Sequence, residues 1–184
     1  MEFTIYEQTA SLEAPETDEA QEVITSLFKE FRNPLLRYVL AFGIRPDDGE
    51  DVVQDVFLFL HRHVQLGRPR HNLRGWLFRV AHNLALKRHR VNWKQQTSLQ
   101  NGEANAASQL DPALNPEERL AAIRRQQRLL AVVAAFPEQD RRCLYLRAEG
   151  LRYREIANVL GISLGAVSIS LTRSLERMGR AGEQ

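Results

Sequence analysis

YREIANVLGISLGAVSISLTRSLER, residues 153–177, decides the fold of this chain because it reads as two helices joined by one tight turn. Ile156, Ala157 and Leu160 fall on one helical face, Ala157 is small enough to admit a second helix, and Gly161 stands where a helix needs a left-handed stop. Ile162 fills the corner. Ser163 is a good N-cap for the next helix, along which Val167, Leu171, Leu175 and Met178 recur at spacings of four, four and three and predict one buried stripe. The pattern is a helix-turn-helix. Off the stripe lie Leu164, Ser168, Thr172 and Arg173, groups able to reach base edges and phosphates in a major groove, with no acid on that face before Glu176. A helical hairpin that only packs is the plainer alternative. The short Gly-Ile-Ser turn, the small residue at mid-helix and the acid-free outer face argue for DNA instead.

Working outward, 184 residues with 43% apolar content can bury one ordinary core or two small ones, and the pattern favours two. The net charge is only +2, but it is unevenly spread: residues 1–34 hold eight acids against two bases, and the remainder is +8. A basic body suits a polyanion partner. The single cysteine, Cys143, excludes an intramolecular disulfide and a cysteine metal cluster, and its apolar helical position predicts a buried thiol. The longest apolar run, residues 129–136, is far too short to span a membrane, and the acidic N-terminus is unlike a signal peptide. These features predict a cytoplasmic protein with no membrane span.

Residues 1–19 are acidic and aperiodic and read as a disordered head. Val23, Leu27, Phe31, Leu35, Tyr38 and Val39 then form a helical stripe interrupted by Pro34, which predicts two helices or one bent one. Residues 43–49 carry turn chemistry. In EDVVQDVFLFLHRHV, residues 50–64, Val53, Val56, Phe57 and Leu60 point inward, leaving an outward patch of Glu50, Asp51, Gln54 and Asp55. A basic loop over 65–73 precedes a helix over 74–90 with Trp76, Leu77, Val80, Ala81 and Leu84 as its stripe and Lys87, Arg88, His89 and Arg90 at its end. Cations at a helix end can simply complement the dipole. An indole beside a basic loop and a basic helix end also suits a track for single-stranded bases.

Residues 94–115 are polar, aperiodic and read as a flexible linker, at whose end Asn115-Pro116-Glu117-Glu118 starts a helix with Leu120, Ile123, Leu130, Val133 and Ala134 inward. Pro137 opens the next helix, residues 138–148, which buries Cys143, Leu144 and Leu146 before Gly150. The expected fold is all-α: two small helical domains, residues 20–93 and 116–180, joined by the linker, the second a four-helix, winged-helix-like helix-turn-helix domain followed by a tail at 181–184.

In that order the segments resemble the bacterial RNA polymerase sigma factors of the sigma-70 family, in the extracytoplasmic-function (ECF) subfamily. EDVVQDVFLFL is similar to the segment that grips the beta-prime clamp helices, LRGWLFRVAHNLALKRHR to the segment that recognises and opens the minus-ten element, and residues 136–175 to the minus-thirty-five-binding domain. The resemblance implies a transcription initiation factor that is not an enzyme and needs no cofactor or metal. It assigns Glu50, Asp51, Gln54 and Asp55 to polymerase binding. Arg68, Arg70, Asn72, Trp76, Asn83, Lys87, Arg88 and Arg90 fall to minus-ten DNA, where Asn83 and the 65–73 loop would hold a base flipped from the non-template strand and Trp76 would shape the hairpin. Arg152, Tyr153, Arg154, Ser163, Leu164, Ser168, Thr172, Arg173 and Arg177 fall to minus-thirty-five DNA. Implied partners are core RNA polymerase, through the beta-prime clamp helices and the beta flap, promoter DNA, and an anti-sigma factor.

This chain departs from the family in carrying Lys87 where an acid is common, and Ser168 and Ser170 where Lys or Arg is frequent. A free-standing helix-turn-helix regulator is the alternative, but it would need a dimer to read two half-sites and no heptad or effector domain supplies one. Catalysis finds no support. His61 and His63 lie about 200° apart around a helix, no nucleophile–base pair emerges, and surface positions account for the five histidines.

Overall fold

The computed structural model describes residues 14–96 and 115–182, which fall into two compact units parting between Lys94 and Gln95. All regular structure among the described residues is helical. The likeness to winged helices therefore stops at the helix-turn-helix, with no strand to form a wing among those residues.

The first unit comprises α1 (Ala14–Leu40), α2 (Pro46–Gln65) and α3 (Leu73–Gln96). α1 is one helix that contains Pro34 instead of breaking there. Proline costs an interior helix about 3 kcal/mol, and burial of Phe31, Leu35, Tyr38 and Val39 on either side of it offsets that loss. α1 also takes in Ala14–Glu19 of the expected disordered head, whose first thirteen residues lie outside the described ones. α2 starts at Pro46, four residues earlier than its apolar stripe indicates, because Pro46 and the acids Asp47 and Asp48 make a favourable first turn. Gly49 is buried there, and a Cβ on it would come within 3.0 Å of the Leu40 side chain.

α3 buries Leu77, Phe78, Ala81, His82 and Ala85, while Trp76, Val80 and Leu84 are half-buried. The inward wedge is thus rotated from the expected stripe. Phe78 draws it inward, meeting the rings of Phe31 and Tyr38 edge-on at centroid distances of 6.5 and 5.7 Å. His82 is not a surface histidine: its Nδ1 shares a 2.8 Å hydrogen bond with the Tyr38 hydroxyl in the interior. α3 continues through Lys94–Gln96, taking the first residues assigned to the linker; residues 97–114 are outside the described ones.

The second unit comprises α4 (Pro116–Ala134), α5 (Glu138–Ala148), α6 (Tyr153–Leu160) and α7 (Leu164–Gly182). Its core is Phe136, Cys143, Leu146, Leu151, Ile156, Val159, Val167 and Leu171. Gly161 is left-handed, with φ of 66°, and the chain turns by 108° between α6 and α7, within the range of helix-turn-helix pairs. α7 includes Ala181 and Gly182 of the expected tail; Glu183 and Gln184 lie outside the described residues.

Several apolar expectations fail here, Ala134 being exposed and Leu144 only half-buried. Leu175 is 56% exposed, and Ser170 and Ser174 are buried in its stead. Small side chains at i and i+4 let α5 approach α7, and the Ser174 hydroxyl donates to the Ser170 carbonyl at 2.7 Å, so its burial leaves no unpaired donor. Leu120 and Leu130 on α4 are 48% and 44% exposed, whereas Ile123 and Val133 are half-buried.

The buried hydroxyl–imidazole pair yields a first prediction. Tyr38→Phe keeps the ring packing and removes the oxygen, which should lower stability in urea denaturation by about 1–2 kcal/mol. Equal stability of the variant would show that the bond adds nothing to the fold.

Candidate nucleic-acid and polymerase interfaces

α3 carries the site of the first unit. Trp76, Asn83, Lys87 and Arg90 are spaced by seven, four and three residues, so at about 100° per residue they fall on one face of the helix. Asn83, Lys87 and Arg90 are exposed, and with Leu86 and Val91 they line an open concavity of about 440 Å³. Arg79, one turn before Asn83, is exposed beside this face and was missed in the sequence. Its spacing of four from Asn83 is the signal that could have found it.

Arg88 behaves differently. Its guanidinium meets Asp51 at 3.2 Å and Asp48 at 3.7 Å, which ties the far half of α3 to the first turns of α2 and engages Arg88 within the fold. Asn72 is also reassigned: it adopts φ of 55°, and its side-chain oxygen accepts the Gly75 N–H at 3.2 Å, capping α3. Arg68 and Arg70 are exposed in the loop between α2 and α3.

On α2, the acidic patch divides. Glu50 receives two hydrogen bonds of 2.8 Å from Arg32 and Asp51 receives one from Arg88, whereas Gln54 and Asp55 are exposed and project from the side opposite Val53, Val56 and Leu60. The first two acids help hold the three helices together, and the latter two are presented to solvent.

In the second unit, Leu164, Ser168 and Thr172 are exposed on α7, with Ile169 beside them at 65% exposure. Ser163 caps the helix, accepting the Ala166 N–H at 3.1 Å, so what it can still offer a phosphate is its own O–H. Arg152 and Arg154 are exposed at the start of α6, where the Glu155 carboxylate accepts the Arg152 backbone N–H at 2.7 Å. Tyr153 lies under the Arg147 guanidinium, and Arg177 lies over the Phe136 ring at 5.9 Å.

Arg173 is engaged within the fold. Its Nε and Nη2 donate to the two carboxylate oxygens of Asp140 at 2.8 and 2.7 Å, and Asp140 is only 1% exposed. A phosphate role for Arg173 would compete with this bidentate pair. Burial pushes the Asp140 carboxyl up, but the hydrogen bonds from Arg173 and Ser170 and the charges of Arg173 and Arg177 outweigh it and hold the group below the usual carboxylate range. Gln139 adds a bond of 3.3 Å to the Ser170 hydroxyl. Burial raises the neighbouring Cys143 thiol, which keeps it protonated and inert. The sequence offered only an acid in the first turn of α5, which a helix start already explains.

The sequence pattern described as Sigma-70 region 2 matches residues 27–95, and that described as Sigma-70, region 4 matches residues 126–178. The ECF RNA polymerase sigma factor ShbA of Streptomyces griseus is 31% identical over 141 residues, covering 75% of this chain and 71% of that protein. The chain belongs to the sigma-70 family of RNA polymerase sigma factors, in its ECF group. RNA polymerase sigma factor YlaC of Bacillus subtilis is 26% identical over 84% of this sigma factor and 88% of its own length. The fold of this sigma factor is also that of RpoE from Bartonella quintana, solved in complex with the anti-sigma factor NepR, with a TM-score of 0.65, 19% identity, and coverage of 90% of this chain and 96% of that one. The protein is a transcription initiation factor that binds core polymerase and directs it to promoters. Among the described residues no single helix is long and apolar enough to cross a membrane.

The Asp140–Arg173 pair predicts both a stability loss and its pH dependence. Because the folded carboxyl is shifted down, its contribution is present in full above the ordinary aspartate value of 3.8 and is lost as the pH falls through the folded value. Arg173→Ala should lower the Tm of the second unit by roughly 10 °C or more at neutral pH, with a smaller difference from wild type in acid. Calorimetry between neutral pH and about pH 3 checks this; an unchanged Tm at neutral pH would rule the pair out as a structural tie.

Proposed function

We propose that the two units divide promoter engagement between melted strand and intact duplex. The observation that carries this reading is the shared face of Trp76, Asn83, Lys87 and Arg90, because an aromatic edge, an amide and two cations in line suit unpaired bases on a charged backbone. Arg79, Arg68 and Arg70 extend the cationic track. Asn83 hydrogen-bonds the edge of a minus-ten base once that base has left the stack, and the 66–72 loop holds the flipped nucleotide.

α7 lies in the major groove of the minus-thirty-five element. Leu164, Ser168 and Thr172 meet base edges, with Arg152, Arg154 and Arg177 on flanking phosphates. Gln54 and Asp55 form the centre of the patch offered to the polymerase clamp, and the second unit meets the beta flap. An anti-sigma protein that covers these faces would keep the factor off polymerase, as befits a relative of a sigma factor solved with such a partner. The work is done in the cytoplasm, and the chain contributes binding energy to strand opening without covalent chemistry of its own.

Two substitutions test the division. Asp55→Lys should weaken binding to core polymerase about tenfold with an unchanged Tm, since the residue is exposed and reverses charge at a basic partner. Core binding at wild-type strength would remove Asp55 from the interface. Asn83→Ala should leave duplex binding intact while permanganate reactivity of minus-ten thymines falls about tenfold. Loss of duplex affinity with normal opening would contradict the assignment of α3 to melted strand.

A further inference from the structure

The loop between α2 and α3 is short and cationic, and one residue braces its middle. His63, in the last turn of α2, is half-buried, and its ring lies against Trp76 with centroids 4.7 Å apart and a 45° angle between planes. Its Nε2 is 3.0 Å from the carbonyl oxygen of Pro69. A carbonyl only accepts, so Nε2 carries the hydrogen in this contact. The backbone carbonyl of His63 also accepts the Arg68 N–H at 3.2 Å. The same residue therefore holds the loop on both sides of the Arg68–Pro69 bond. It also joins that loop to the indole on the strand-facing side of α3. Other anchors are backbone bonds from Leu66 to Arg62, from Gly67 to Val64 and from Trp76 to Asn72, and the Asn72 cap. None of those reaches residues 69–71.

We propose that His63 is a positioning residue for promoter opening. Its imidazole fixes the 66–72 loop against Trp76, so that Arg68 and Arg70 meet the melted strand already in place. This rests on the reading above that the loop meets that strand. A loop held in its bound geometry avoids the entropy cost of ordering at the moment the bases separate. His63 touches neither base nor phosphate in this scheme and acts through the loop.

Three variants of the full chain, each assembled with core polymerase on a promoter fragment selected by the wild-type holoenzyme, test it. His63→Phe keeps a ring on Trp76 and loses the donor; His63→Gln keeps an N–H near the Nε2 position; Arg70→Ala reports on the loop itself. Opening is followed by permanganate reactivity over time, beside Tm, core affinity and duplex affinity. His63→Phe should open about three- to tenfold more slowly, the size expected for one hydrogen bond, with Tm and both affinities near wild type. His63→Gln should stay within about twofold of wild type. Slow opening in Arg70→Ala with wild-type opening in His63→Phe would overturn the positioning role while leaving the loop reading intact. Wild-type opening in both would overturn the loop reading and the proposal with it. Equal slowing in both His63 variants, in step with equally lowered Tm, would reduce His63 to a structural residue and also overturn the proposal.

Discussion

A carboxylate that is almost wholly buried sets the terms for the second unit. Asp140 tolerates the interior chiefly because a guanidinium reaches it from α7, and an unpaired charge at that depth would be strongly destabilising. The pair fixes α7 in rotation about its own axis. Once that rotation is fixed, Val167 and Leu171 must face inward and Leu164, Ser168 and Thr172 must face solvent. The exposed face proposed to read bases follows from an interaction elsewhere on the helix.

Cations in the first unit divide in the same way between holding and reaching. Arg32 and Arg88 close onto Glu50 and Asp51, while Lys87, Arg90, Arg68 and Arg70 remain exposed. Arg88 and Lys87 are neighbours in sequence, yet a 100° step around α3 sends one to α2 and the other to solvent. Sorting a basic cluster by net charge alone cannot separate these roles.

Much of the fold was legible because its signals are local. Gly161 stops a helix, Ser163 caps one, Pro116 and Pro137 open two more, and each acts within a few residues of itself. Leu175 escapes the pattern because spacings of four, three and four through Ser174 fit the inner face as well as four, four and three through Leu175; only the presence of α5 decides it. The ion pairs that engage Arg88 and Arg173 within the fold join residues 37 and 33 positions apart, and no helical period links them. The His63 brace was hidden for a related reason: its partners lie on the loop and on the next helix, so a test for residues sharing one helical face could not reveal it.

The outward surface of the first two turns of α7 bears no charge, since Leu164, Gly165, Ser168, Ile169 and Thr172 are all neutral. Counterions displaced on duplex binding would then come almost entirely from phosphates beside the flanking arginines, at about 0.9 per phosphate neutralised. Discrimination among bases by methyl and hydroxyl contacts releases none. A rise in cellular ionic strength would therefore thin the population of factor on DNA while leaving the ranking of its promoters nearly unchanged.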